Sequence, residues 1–148
     1  MPDARLVGLR RVAIVPAYNE AGSVAQVIAE IRTADPAMDV VVVDDGSRDA
    51  TASIASRAGA VVLRLPFNLG IGGAVQTGYR YALENGYQIA IQVDGDGQHL
   101  PTEIPKLLEP ILSGRADMVV GTRWRGEGDY KAPLGRRIGI ELFARLVS

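Results

Sequence analysis

Cysteine is absent from the 148 residues. Its absence excludes disulfides, thiol nucleophiles and thiolate metal sites, and it fits a reducing compartment. Neither sign of charge dominates: 16 Lys and Arg face 17 Asp and Glu, a formal net charge of -1. With no global basic field, nucleic acid is not an expected partner, nor is an anionic membrane held by charge alone. Small molecules that bring their own charge are. No apolar run is long enough to span a bilayer, and the opening MPDARLVGLRR lacks the apolar centre of a signal peptide. The expectation is a cytoplasmic protein, with peripheral attachment to the cytoplasmic face of a membrane left open. What remains is an ordinary globular composition, 47% apolar and 22% charged. The length favours one domain, 1–148, with a sizeable core.

Apolar, β-branched runs alternate with helical patterns along the chain. Strands are expected over 11–17, 39–46, 60–65, 87–93 and 116–123. Helices are expected over 23–34, 49–59, 72–86 and, interrupted by proline, 101–114. Val24, Val27, Ile28 and Ile31 share one face of the first helix, and Ser23 and Gln26 have capping-box spacing at its start. Gly59 and Asn85-Gly86 read as helix stops. Unalternated Val/Ile strands joined by helices imply an α/β fold: a mostly parallel sheet with helices on both faces. Such sheets bind ligands beyond the carboxyl ends of their strands. YNE, DDGS, PFNLG, DGDGQH and GTRW follow the five strands in turn, so all five should meet on one edge.

Two acid pairs lie on that edge. In VDGDGQHLP, Asp94 and Asp96 flank a glycine at the end of a buried run. Two carboxylates this close repel, and a hard divalent cation such as Mg²⁺ or Mn²⁺ resolves the repulsion best. Gln98 would add an oxygen or bond a metal-bound water. The plainer alternative is a solvated Asp-Gly turn. An EF-hand does not fit, because His99 and Pro105 stand where it needs glycine and glutamate. No Walker-type GK[ST] is present, and GIGGAV lacks the dinucleotide spacing. The second pair is Asp44-Asp45. An acid after the second strand of such a sheet often accepts hydrogen bonds from a ribose or base. Here it could equally belong to a helix start capped by Ser47 or Asp49. Glu20 reads as a ligand contact or as a first-turn acid favoured by the helix dipole. Tyr18 reads as a base-stacking or packing residue, Asn68 as a loop-orienting one. Gly70, Gly72 and Gly73 either admit a ligand close to the backbone or simply begin a helix whose amides favour anions.

VPAYNEAGSV, VVVDDGSRDAT, NLGIGGAVQTGYRYA, VDGDGQHLPTEI and MVVGTRW occur in that order. Together they resemble a family 2 glycosyltransferase of the GT-A fold, in the branch of dolichyl- or polyprenyl-phosphate mannosyl- and glucosyltransferases. The resemblance covers about residues 11–125. It implies a nucleotide-sugar donor (GDP-mannose or UDP-glucose), Mg²⁺ or Mn²⁺, and inversion at the anomeric carbon. It implies that Pro16, Tyr18, Glu20, Asp44 and Asp45 line the nucleotide pocket, with Asn68 and Gly72 beside the donor. Asp94 and Asp96 match the family's D-x-D, which holds metal and diphosphate; Gln98 matches a further metal-side position. Arg123 matches an arginine near the phosphates, and Arg136 or Arg137 a basic position near an acceptor phosphate. The implied acceptor is a lipid phosphate, with a glycan hydroxyl as the second choice. A hydroxyl would need a base, and His99 is the only histidine. An inactive nucleotide-sugar binding module, needing a partner segment, is the alternative. A nucleotidyltransferase would want a basic phosphate loop that PAYNEAG does not supply.

The family normally continues past the point where this sequence stops, in LFARLVS. The expectation is a donor half without most of its acceptor half. Ile138, Leu142, Phe143 and Leu146 would then form an apolar helical face. That face would meet the remaining segment, a membrane surface or, in a homodimer, a second copy.

Overall fold

A computed structural model describes residues 4–98 and 101–121. The chain divides into two compact units, Met1–Asp117 and Met118–Ser148. In the first unit, a short 3-10 turn at Ala4–Leu6 precedes strand β1 (Arg11–Ala17) and helix α1 (Val24–Ala34). Then come β2 (Asp39–Asp44), α2 (Thr51–Arg57), β3 (Val61–Arg64), α3 (Gly70–Glu84) and β4 (Ile89–Gln92). A 3-10 turn at Pro101–Glu103 leads into α4 (Ile104–Leu112). The sheet has four strands in the order β3-β2-β1-β4, all pairs parallel. The α/β architecture expected from the alternating pattern is therefore present.

Side-chain parity along the two central strands divides the core. Ala13, Val15 and Ala17 of β1, with Val40 and Val42 of β2, pack with Val24, Val27, Ile28 and Ile31 of α1 and with Ile104 and Leu108 of α4. Val12, Ile14, Val41 and Val43 face the other way, with Ala74 and Ala82 of α3. Both faces of β1 and β2 are thus covered, which is why their sequences carry no polar alternation. The chain winds outward from β1 through β2 to β3, then crosses back under α3 to β4 on the far side of β1. This reversal opens a crevice beyond the carboxyl ends of β1 and β4.

Three sequence expectations differ from the structure. No capping box forms at α1: Ser23 makes no side-chain cap bond, and Gln26 instead donates to Glu30 one turn on, at 2.7 Å. The N-cap position of α2 is Ala50, which has no capping side chain; of the two residues expected there, Asp49 accepts the Thr51 amide at 2.9 Å, whereas Ser47 accepts from the Asn19 amide at 2.9 Å, a loop-to-loop bond. No fifth strand is assigned over 116–121, while 122 and 123 lie outside the described residues. Met118 and Val120 are 79% and 75% exposed. β-Branched composition favours a strand, but a ladder partner makes one. Elsewhere the breaks fall as expected: Gly59 follows α2 and Gly86 follows α3, both at positive φ, +84° and +70°.

Candidate active site

The carboxyl ends of β1 to β4 deliver four loops to one edge, and a cavity of about 340 Å³ opens among them. It is lined by Pro16, Ala17, Tyr18 and Glu20 after β1, Asp45 after β2, Asn68, Gly70, Ile71 and Ala74 at the start of α3, and Asp94, Gly95 and Asp96 after β4. Of the residues singled out in the sequence, Pro16, Tyr18, Glu20, Asp45, Asn68, Gly70, Asp94 and Asp96 line this cavity. Asp44 and Gly72 do not, nor does Gln98. Arg123, Arg136, Arg137 and His99 lie outside the described residues, as do Trp124 and the apolar positions Ile138, Leu142, Phe143 and Leu146.

The two acids of the second pair have different environments. Asp44 is fully buried; it accepts the Ser47 amide at 3.0 Å and the Arg64 guanidinium at 3.2 Å. Its neighbour Asp45 is 4% exposed and uses both carboxylate oxygens on the entry to α3, accepting from Leu69 N at 2.7 Å and Gly70 N at 2.9 Å. Asn68 Oδ1 also accepts from Gly70 N at 2.9 Å. Gly70 has φ +81°, a turn an L side chain resists. Amides that a helix start leaves orphaned are thus met by a buried charge.

The loop after β1 is laced to the loop after β2. Asn19 has φ +54°, the left-handed conformation that asparagine tolerates better than most residues. Its side chain accepts from Arg48 N at 2.9 Å. Glu20 N donates to Thr51 Oγ1 at 2.8 Å, and Ala21 N to Asp49 Oδ2 at 3.1 Å. The Thr51 hydroxyl also holds the Asp49 carboxyl below its ordinary range, helped by the Thr51 and Ala21 amides. Sequence reasoning missed Asn19 and Thr51. The one signal was their place in the loops that follow β1 and β2: Asn19 in YNE, directly after β1, and Thr51 where the loop after β2 enters α2.

The D-G-D turn is seated on β1. Gly95 N donates to Pro16 O at 3.3 Å, and Gly95 O accepts the Ser23 hydroxyl at 2.7 Å. A Cβ on Gly95 would stand 3.0 Å from Pro16 O, so the close approach favours glycine. Asp94 accepts from Gln92 Nε2 at 3.1 Å, and Asp96 from Gln98 N at 2.9 Å.

Four carboxylates, Glu20, Asp45, Asp94 and Asp96, line the cavity, and no lysine or arginine does among the described residues. An anionic ligand entering alone would meet like charge from every side. Among the described residues no three Asp, Glu or His groups converge as a complete metal cage. The Asp94-Asp96 pair fits the other mode, in which a Mg²⁺-like ion takes one or two carboxylates and completes its shell with substrate phosphates and water.

Comparison with known proteins gives this geometry a lineage. A solved structure of glucosyl-3-phosphoglycerate synthase from Mycobacterium tuberculosis, in complex with Mn²⁺, UDP-glucose and phosphoglyceric acid, is similar with a TM-score of 0.62 and 28% identity. It covers 75% of this chain and 42% of that one. The same enzyme with Mg²⁺ and UDP gives a TM-score of 0.60 at 26% identity, over 74% of this chain and 42% of that chain. The undecaprenyl-phosphate mannosyltransferase of Micrococcus luteus is 39% identical over 145 residues, 95% of this chain and 56% of that protein. Polyprenol monophosphomannose synthase of Mycolicibacterium smegmatis is 30% identical over 145 residues, 94% of this chain and 54% of that protein. The chain therefore spans about half the length of the curated relatives it matches. The model of glycosyl transferase family 2 matches residues 12–139, and the chain belongs to that family.

Proposed function

We infer that this chain is the donor-binding portion of a single family 2 domain, an inverting hexosyltransferase that uses Mg²⁺ or Mn²⁺. The donor is a nucleotide-diphosphate sugar, GDP-mannose or UDP-glucose, and the acceptor a polyprenyl or dolichyl phosphate. The observation that carries this reading is a cavity at the sheet's switch point whose charged lining residues, among those described, are all carboxylates. At an effective dielectric near 20, two unit charges about 4 Å apart interact by about 4 kcal/mol. A diphosphate is accepted there only with a cation between it and Asp94 and Asp96.

In this reading Asp94 and Asp96 are the protein ligands, with Gln98 on the metal side. Bound metal supplies Lewis-acid stabilisation of the departing diphosphate. Pro16, Tyr18, Glu20, Asp45, Asn68 and Gly70 shape the nucleoside wall, and Asp44 and Gly72 support it from behind. Arg123 contributes charge to the phosphates, and Arg136 or Arg137 binds the acceptor phosphate. An acceptor phosphate oxygen, anionic at neutral pH, bonds to the anomeric carbon from the face opposite the diphosphate. The sugar–diphosphate bond breaks, the electron pair leaves with the nucleoside diphosphate, and the configuration inverts. Such a nucleophile needs no general base. A hydroxyl acceptor would need one, so lipid phosphate is the preferred class. The reading places the protein in the cytoplasm, peripheral to the membrane that carries its acceptor.

The test is a thermal-shift panel with UDP, GDP and their sugars, each with and without Mn²⁺. A ligand at a hundred times its dissociation constant stabilises by about 2.7 kcal/mol. Stabilisation by one nucleotide, dependent on Mn²⁺ and lost in Asp96→Asn, is expected. A folded chain that responds to none of these pairs would refute the reading. Metal-dependent binding without transfer to a polyprenyl phosphate would favour a non-catalytic binding module.

A further inference from the structure

We propose that Ser23 is a positioning residue for the Asp94-Asp96 carboxylate pair, an inference that rests on the metal-dependent reading above. Ser23 lies at the start of α1, 72 residues before its partner in sequence. It fails to cap its own helix. Its hydroxyl has three acceptors within reach: Gly95 O at 2.7 Å, Glu20 Oε2 at 3.1 Å and Glu20 O at 3.4 Å. One hydroxyl carries one proton, and the shortest bond goes to Gly95.

The geometry explains what that bond controls. The peptide before Gly95 carries the N–H that donates to Pro16 O at 3.3 Å. The peptide after Gly95 carries the C=O that accepts from Ser23 at 2.7 Å. The first leads out of Asp94 and the second leads into Asp96. Both planes flanking the glycine are therefore fixed, one by the end of β1 and one by the start of α1. Glycine is otherwise the freest residue in the backbone. Without the Ser23 bond, the second plane would be held only by the turn beyond it, where Gln98 N meets Asp96 Oδ1 and Gly97 has φ +76°. Two carboxylates must converge on one ion to bind it well, and small losses of convergence cost affinity for a cation that demands near-ideal geometry. Ser23 also touches the Glu20 carboxylate, so one side chain links the loop after β1 to the acidic turn.

The experiment titrates Mn²⁺ against the full chain in the presence of a saturating nucleoside diphosphate, following thermal stabilisation, for wild type, Ser23→Ala and Ser23→Thr. Ser23→Ala should raise the Mn²⁺ concentration at half-response by about tenfold, the scale of a lost outer-sphere partner. Its melting temperature without ligand should shift by far less than the ligand response, and Ser23→Thr, which keeps the hydroxyl, should restore the wild-type midpoint. An unchanged midpoint in Ser23→Ala, with wild type responding to Mn²⁺, would overturn this inference and leave the proposed function standing. A wild-type chain whose nucleotide response ignores Mn²⁺ would overturn both.

Discussion

At the scale of single residues, the site is built from side chains whose polar groups serve the backbone before they serve a ligand. Asp45 is the clearest case. A cavity-lining acid would ordinarily be assigned to a ligand, yet each of its oxygens holds an amide at the entry to α3. Asp45→Asn tests how far that matters. Whichever way the new amide turns, one of the two backbone N–H groups faces another N–H. A hydrogen bond to a charged group contributes about 1.5–3 kcal/mol, so a loss of about 2 kcal/mol is expected. Urea unfolding should show a lower midpoint with an unchanged slope. An unchanged midpoint would mean that water replaces the carboxylate at no cost. Asp44, one residue earlier, is fully buried on Ser47 and Arg64. DDGS does not show which acid is buried on which side chains, because the long-range partners that separate them, Arg64 for Asp44 and Leu69 and Gly70 for Asp45, come from β3 and the entry to α3.

At the scale of elements, β1, β2, α1 and α3 were legible in the sequence because buried runs and helical periodicity are local signals. The boundaries moved by no more than three residues: β1 covers the expected 11–17, α3 begins at Gly70 where 72 was expected, and β4 covers Ile89–Gln92 within the expected 87–93. The roles of Ser23 and Ser47 were not legible, because both bond to loops far away in sequence. The strand expected at 116–123 shows the same limit from the other side: its composition was right, but pairing is a tertiary fact. The packing of α3 on the sheet was equally hidden and now makes a prediction. A Cβ at Gly78 would stand 2.2 Å from Ile14 Cγ2. Gly→Ala inside a helix normally gains up to about 1 kcal/mol. Here overpacking against a stiff β-branched side chain should cost about 1–3 kcal/mol and win. Gly78→Ala should therefore lower stability. In Ile14→Ala, already weakened by about 2–5 kcal/mol, the same substitution should be neutral or favourable. A double-mutant cycle with no coupling between the two positions would refute this close contact.

At the scale of the whole molecule, the sheet keeps chemistry and anchorage at opposite ends. The carboxyl ends of the strands carry the cavity. The amino end carries a buried ion pair, Arg11 with Asp35, in which Arg11 Nη2 donates to Asp35 Oδ1 at 2.7 Å and Nε donates to Oδ2. Arg11 Nη1 also donates to Leu9 O at 3.1 Å, so the pair ties the start of β1 to the end of α1 and to the segment before the sheet. The hydrogen bond from Arg11 is the main force holding the Asp35 carboxyl below its ordinary value of 3.8, against the opposing effect of desolvation. The folded state thus binds fewer protons at Asp35 than the unfolded state does near that pH. The carboxylate's contribution is complete above the unfolded value and is lost as pH falls through the lower folded one. The same bond raises the Arg11 guanidinium above its already high ordinary value, so its contribution is complete below that value and is lost only as pH rises through the higher folded one. Between about pH 4 and 12 the pair is intact. Asp35→Asn would leave a buried guanidinium without its counter-charge, at a cost of about 3–5 kcal/mol at pH 7. Urea unfolding at pH 7, 5, 4 and 3 should show the gap between wild type and variant closing as acid protonates Asp35 in the wild type. Parallel profiles would mean that Asp35 does not carry the acid sensitivity. Nucleotide binding by the folded fraction should be unchanged, because the pair stands at the far end of β1 from the four loops that line the cavity.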